Sequence, residues 1–105
     1  MTIAELTQKM HHFVREKGWY APDSPRSQTP RNLAISLSLE AAEVLEHFQW
    51  GETADPAALA GELADVGLYL LQIASLTGID LEQAILAKLN RNATRTWDSP
   101  EPPNP

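Results

Sequence analysis

Two stretches of the sequence each place two acidic residues three positions apart among apolar neighbours. The stretch S-L-E-A-A-E-V-L-E-H-F-Q-W carries Glu40 and Glu43, and G-E-L-A-D-V carries Glu62 and Asp65. Residues three apart lie on the same face of an α-helix, so each pair directs its carboxylates the same way. Four such acids are unsuited to an apolar core. They are suited to hard cations such as Mg²⁺, which take oxygen ligands.

The apolar residues around these acids have the spacing of two amphipathic helices. At about 100° per residue, Glu40 borders the apolar stripe of the first helix, Glu43 lies about 60° beyond it, and Glu46 falls on the far side. In the second helix Glu62 falls inside the apolar sector and Asp65 at its margin. An isolated carboxylate in such a sector costs several kcal/mol to desolvate unless it is paired or bound to a metal. We therefore expect Glu46 to face water, and these residues alone leave it equally open whether the other four acids bind a metal or are structural.

Two alternatives to a magnesium site follow from the same residues. Pairs of acids three apart are common on solvent-exposed helices, where they bind nothing. The four acids lack basic residues three or four positions away, which removes intrahelical salt bridges as their explanation. A di-iron site needs E-x-x-H pairs, and Glu43 with His47 has the wrong spacing. Mg²⁺ is therefore the preferred ion, with Mn²⁺ as a substitute.

The rest of the chain predicts two further helices. Each expected helix start has a residue that favours the N-cap position: Thr2, Thr29, Asp55 and Asp80. The periodic segments run over about residues 3–17, 30–48 and 56–77 and onward from Asp80, with no β pattern between them. The expected fold class is all-α, a four-helix antiparallel bundle. A single domain is expected over residues 1–97, followed by a flexible proline-rich tail over residues 98–105.

Charge and composition restrict the partners. A net charge of −6 argues against a nucleic-acid-binding surface, and a nucleotide would need a metal ion between itself and the acids. The chain has no cysteine, which excludes disulfides and thiolate zinc sites. The start M-T-I-A-E-L lacks the pattern of a secretory signal, and no uninterrupted apolar run approaches the roughly 20 residues of a membrane span. We expect a cytoplasmic protein with no nucleic-acid or membrane partner.

The sequence resembles the MazG-like all-α nucleoside triphosphate pyrophosphohydrolases, and within them the dCTP pyrophosphatase branch. The family pattern is E-x-x-E on one helix and E-x-x-D on the next, which the four acids match. Further likeness lies in F-V-R-E-K-G-W, P-R-N-L-A, L-E-H-F-Q-W, E-L-A-D-V-G-L-Y-L and, more weakly, K-L-N-R-N. The resemblance covers nearly the whole chain up to Trp97. It implies hydrolysis of a (d)NTP between the α- and β-phosphates, giving a monophosphate and pyrophosphate.

The resemblance also implies roles around the triphosphate. The four acids would hold Mg²⁺ and orient a water for in-line attack, and one of them would take the proton of that water. Lys88 and Asn92 match family positions that approach the phosphates, and Arg95 is a further candidate. Charge-assisted contacts from these side chains would stabilise developing negative charge. For Lys88 a solvated surface lysine is the alternative.

For the base, the resemblance points to Trp19, Asn32, Trp50 and Tyr69. Aromatic stacking with side-chain hydrogen bonds would select a pyrimidine-sized ring. Core packing at a helix end is the alternative for Trp50. For Trp19 and the adjacent Tyr20, the residues alone leave core packing and ligand stacking equally open.

Two departures from the family pattern fall where the base and sugar would be bound. Similar dCTP pyrophosphatases carry a histidine shortly before P-R-N-L, and here that place is Gln28 or Thr29. The loop between Trp19 and Pro30 is longer, with the extra residues Y-A-P-D-S-P-R-S. We expect dCTP or a modified dCTP as substrate, followed by another ordinary or damaged dNTP. A dUTP-type or phosphoribosyl-ATP-type pyrophosphatase and a non-catalytic helical interaction module are the alternatives.

Apolar residues outside the main stripes predict self-association. Leu68, Leu71 and Ile79 are expected to point away from the stripes and to leave apolar surface on a monomer. Family members that this chain resembles form dimers or tetramers with sites near subunit interfaces. We expect a homo-oligomer, a tetramer rather than a dimer.

Overall fold

The computed structural model describes residues 1–95, in which the chain forms four α-helices and no strand. The helices are α1 (Ile3–Glu16), α2 (Pro30–Glu46), α3 (Pro56–Leu76) and α4 (Leu81–Thr94). The all-α prediction is confirmed, and the predicted ends of the first three helices lie within two residues of the observed ones. The predicted tail and the last two residues of the predicted domain lie outside the described residues.

Local signals set where the helices begin and end. The side chain of each predicted N-cap accepts a hydrogen bond from the backbone N–H three residues on, at Thr2, Thr29, Asp55 and Asp80. Gly18 and Gly78 follow the ends of α1 and α3 with φ of +73°, a conformation that favours glycine. After α3 the N–H of Ile79 donates to the carbonyl of Ala74 at 2.8 Å, which closes the helix end.

Helix α3 is the centre of the fold. Helix α2 packs along one side of it, α1 packs on another side, and α4 also packs on it. The buried apolar residues come from the first three helices: Met10, Val14, Leu33, Leu71 and Ala74. The expectation that Leu71 points to solvent is wrong, because α1 covers that side of α3; Leu71 shares a shallow groove with Ala4 and Thr7 of α1. Leu68 and Ile79 are exposed, as predicted.

Much of the expected apolar stripe is exposed in the single chain. Leu45 of α2 is 71% exposed and Leu63 of α3 is 52% exposed, although at about 100° per residue both fall within the apolar sectors of their helices. Helix α4 contains no buried residue, and its Leu89 is 59% exposed. The physical reason is that α4 packs on α3 without closing over α2. One wall of the bundle is therefore missing from the single chain.

Within residues 1–95, one helix is long and apolar enough to cross a membrane by length and composition alone, the 21-residue helix α3. The sequence pattern did not predict this, because Glu62 and Asp65 interrupt its apolar residues. The central helix of a helical bundle passes the same test, and α3 occupies that position here.

Candidate functional site

The acidic pairs meet where α2 packs against α3. Glu40, Glu62 and Asp65 each offer a carboxylate oxygen, and these three atoms lie within 4.8 Å of one another. Glu40 and Glu62 are half-buried, and within residues 1–95 the Oε2 atom of each is buried without a hydrogen-bond partner. Buried oxygens that lack a donor leave a desolvation cost that a bound cation would remove. The all-oxygen donor set fits a divalent cation such as Mg²⁺.

Glu43 adjoins this group and Glu46 does not. Glu43 is half-buried and interacts with both Glu40 and Glu62, although it lies outside the 4.8 Å set. Glu46 is exposed, as the helical spacing predicted. His47, which the sequence reasoning did not assign to the site, places Nε2 3.9 Å from Glu62 Oε1. Its position four residues after Glu43 was the available signal, since that spacing puts both on one helix face.

Two of the clustered carboxylates, Glu40 and Glu62, hold protons more tightly than an ordinary glutamate. Burial raises the pKa of Glu40 from 4.5 to about 7, with further contributions from the adjacent carboxyl groups of Glu43 and Glu62 and from the negative charges of Glu43 and Asp65. The pKa of Glu62 is also raised, first by the adjacent carboxyl group of Glu43 and then by burial, although its contact with Glu40 acts in the opposite direction. On balance the charged forms of Glu40 and Glu62 are disfavoured, so this pair favours either a proton or a cation.

We expect the metal-free protein to lose stability as the pH rises from about 4.5 to about 7. Because the pKa of Glu40 in the folded state is about 7 rather than 4.5, the native state binds more protons than the unfolded state in this window, and stability therefore falls with rising pH. Thermal unfolding in EDTA at about pH 5.5 and about pH 8 measures the effect. Glu40→Gln removes this titration and should show a smaller fall. Equal falls in the two proteins would contradict the assignment.

A cavity of about 680 Å³ adjoins the acid cluster. Its lining includes Glu40 and Asp65 together with three of the predicted base-binding residues, Trp19, Asn32 and Tyr69. The volume lies within the range of small-molecule sites. The structure thus brings two of the four acids and three of the seven predicted substrate-binding residues to one cavity.

The other predicted substrate-binding residues lie outside the lining of this cavity. Trp50 follows the end of α2 and is 91% exposed. Lys88 and Asn92 are half-buried on α4, and Arg95 is the C-cap of that helix. Their roles stay predictions.

The lining also includes five polar or charged side chains that the sequence reasoning did not single out: Lys9, Arg26, Ser27, Ser36 and Gln72. Two of them carried a usable signal. Ser36 lies four residues before Glu40 and Gln72 seven residues after Asp65, so each shares a helix face with an acid. Arg26 lies in a loop, where no periodic pattern predicts its direction.

A buried chain of hydrogen bonds ties the loop between α1 and α2 to α3. The buried His11 places Nδ1 2.6 Å from Tyr20 Oη and Nε2 2.7 Å from Ser75 Oγ. Gln72 Nε2 donates to Tyr20 Oη at 3.2 Å and to Gln28 Oε1 at 2.8 Å. Burial lowers the pKa of His11 and raises that of Tyr20, so both are neutral at pH 7. Tyr20 is thus a structural anchor, whereas Trp19 faces the cavity.

These features define an all-α protein in which a carboxylate cluster suited to a divalent cation borders a small-molecule cavity. The family model for MazG-like proteins matches residues 35–99, more than half of the chain. The chain belongs to the MazG-like family.

Two kinds of relative extend the match. The chain is 32% identical over 104 residues to dCTP pyrophosphatase 1 of Homo sapiens and of Rattus norvegicus, which covers 90% of this chain and 58% of each relative. It is 31% identical over 96 residues to the dATP/dGTP diphosphohydrolase of Cyanophage S-2L, which covers 91% of this chain and 78% of that relative. The chain thus spans 58% of the length of these dCTP pyrophosphatases.

Proposed function

We propose that this protein is a Mg²⁺-dependent nucleoside triphosphate pyrophosphohydrolase that cleaves a (d)NTP to the monophosphate and pyrophosphate. The observation that carries the proposal is the group of Glu40, Glu62 and Asp65 oxygens within 4.8 Å of one another at the edge of the cavity. Relatives named dCTP pyrophosphatase and dATP/dGTP diphosphohydrolase support the reaction type.

The four acids Glu40, Glu43, Glu62 and Asp65 would hold the ion, with Mn²⁺ able to replace Mg²⁺. A bound divalent cation offsets the charge of the triphosphate and polarises its phosphoryl oxygens. The carboxylates also orient the attacking water, and one of the two acids on α2 accepts its proton. Lys88, Asn92 and Arg95 remain our candidates for phosphate contacts.

The rest of the cavity would bind the base. Trp19 and Tyr69 offer aromatic faces, and Asn32 lies beside them in the lining. Asn32 Nδ2 donates to the carbonyl of Ser27 at 3.1 Å, which leaves Oδ1 as an acceptor for an amino group. Cytosine, adenine and guanine carry such a group, whereas uracil does not. This favours dCTP or a modified dCTP over dUTP, with another ordinary or damaged dNTP next.

A panel of all (d)NTPs and 5-substituted dCTPs, assayed with Mg²⁺ for pyrophosphate, tests the proposal. We expect the highest kcat/KM with dCTP or a 5-substituted dCTP, in keeping with a cytoplasmic role in the nucleotide pool. A preference for dUTP or phosphoribosyl-ATP would support the proposed reaction but would show that the proposed substrate is wrong. Pyrophosphate release from no nucleotide would overturn the proposal in favour of a non-catalytic helical module.

We further propose that the protein is a homo-oligomer, a tetramer rather than a dimer. The exposed apolar side chains on α2, α3 and α4 support this, because a monomer leaves them in water: Leu39, Leu45, Leu63, Leu86 and Leu89. Light scattering that gave the single-chain mass of 11.6 kDa would contradict it.

A further inference from the structure

Arg26 lies at the wall of the cavity where the proposed function places the base. It belongs to residues 17–29, the loop between α1 and α2. Its Cζ atom lies 5.6 Å from the ring centroid of Trp19, and both side chains line the cavity. Trp19 in turn packs edge-on against Phe13, with ring centroids 5.6 Å apart and planes at 84°. The cation is therefore stacked on a ring that is itself fixed against α1.

The backbone of Arg26 is held from both sides. Its N–H donates to Ser24 Oγ at 3.1 Å, and its carbonyl accepts from Gln28 Nε2 at 2.6 Å. Gln28 Oε1 accepts from Nε2 of Gln72, a residue of α3 that is 4% exposed. Both ends of the Gln28 amide are thus engaged by protein. Gln28 serves as a bridge from the core to the loop, and Arg26 presents its side chain to the cavity.

We propose that Arg26 is a substrate-contacting residue that selects bases with two adjacent hydrogen-bond acceptors, and that Gln72, acting through Gln28, is its positioning residue. The inference rests on the proposed function. A guanidinium group has five N–H donors in a planar fork and no acceptor. It pairs with two neighbouring acceptors, such as O6 and N7 of guanine. Cytosine offers N3 and O2 in the same way.

Adenine is the base that this geometry disfavours. Its N6 amino group is a donor beside N7 on one edge and beside N1 on the other, so a guanidinium fork would set donor against donor. Arg26 is exposed in the free protein, and a donor that a bound base covers without offering an acceptor loses its hydrogen bond to water without replacement. Arg26 therefore complements Asn32: the amide oxygen of Asn32 accepts from a base amino group, and Arg26 donates to base acceptors. Cytosine satisfies both.

The test compares kcat/KM for dCTP, dGTP and dATP in the wild type and in Arg26→Ala. We expect the ratio of dCTP to dATP to fall by about tenfold or more, because the bidentate contact discriminates by about this factor. Arg26→Lys keeps the charge without the planar fork and should restore little of the ratio. Lys17→Ala is the matched control: Lys17 Nζ also lies over an aromatic ring, 5.7 Å from the centroid of Phe13, but outside the cavity lining. It should leave the ratio unchanged.

Gln72→Leu tests the positioning role. We expect it to raise KM for dCTP and to lower the ratio of kcat/KM for dCTP to kcat/KM for dATP. In the double variant with Arg26→Ala, this ratio should be no lower than in Arg26→Ala alone. Calorimetric binding of the products dCMP and dAMP in the presence of Mg²⁺ repeats the comparison without catalysis. An unchanged ratio in Arg26→Ala, or an equal loss for all nucleotides as for a phosphate contact, would overturn the inference. A wild type that prefers dCMP to dAMP but hydrolyses no nucleotide would instead overturn the proposed function.

Discussion

Replacing Glu62 by glutamine is expected to lower pyrophosphate release by about a thousandfold or more, because loss of a charged metal ligand removes several kcal/mol of transition-state stabilisation. Glu62 lies with Glu40 and Asp65 in the 4.8 Å group, and its buried Oε2 atom has no hydrogen-bond partner among the residues that the structure describes. The amide keeps the shape of the side chain and removes its charge. It also removes repulsion within the cluster, so the folded state should survive the change.

The matched control for this variant is Glu46→Gln on α2. Glu46 is exposed and lies outside the acid cluster, so its change should leave turnover near that of the wild type. Calorimetric titration should show weakened Mg²⁺ binding in Glu62→Gln and unchanged binding in Glu46→Gln. Circular dichroism checks that both variants are folded. Turnover that persists in Glu62→Gln or in Glu62→Ala would rule out the metal-site assignment.

Placing aspartate at both Leu86 and Leu89 is expected to break the assembly into monomers and to lower the melting temperature by about 10 °C or more. The two side chains lie three residues apart on α4, are 48% and 59% exposed, and belong to a helix with no buried residue. In an oligomer that covers them, each new charge would be desolvated at a cost of several kcal/mol. Light scattering and thermal unfolding measure the two effects.

A control with the same charge change is Ala84→Asp combined with Arg91→Gln. These exposed positions lie about 150° around α4 from Leu86. The control protein with both substitutions should retain the mass of the wild-type assembly. A Leu86→Asp/Leu89→Asp protein with unchanged mass would show that this face of α4 is not an interface.

The helices and the acid cluster were predictable because their signals are local. Four N-caps define where the helices begin, and the spacing of apolar residues within one helix separates Glu46 from Glu40 and Glu43. Helices α2 and α3 each carry acids beside an apolar face, and each apolar face has to be covered. The packing of α2 against α3 follows from these two faces. The N-caps and the apolar spacing each involve residues that lie within a few turns of one helix.

The hydrogen bonds that hold the loop at the cavity wall were not predictable, because they join residues that are distant in sequence. Gln28 and Gln72 are 44 residues apart, and His11 and Ser75 are 64 residues apart. No periodic pattern relates a loop glutamine to a glutamine near the end of α3. The same limit explains the exposed Leu45 and Leu63: their helix faces were identified from spacing, but what covers those faces depends on how α4 docks.

Product analysis of a dCTP reaction tests the central claim most directly, because it reports both the bond cleaved and the need for a divalent cation. With Mg²⁺ we predict dCMP and pyrophosphate in equal amounts, no product in excess EDTA, and recovery when Mg²⁺ or Mn²⁺ is added back. Formation of dCDP and inorganic phosphate, or product formation that continues in EDTA, would contradict the account.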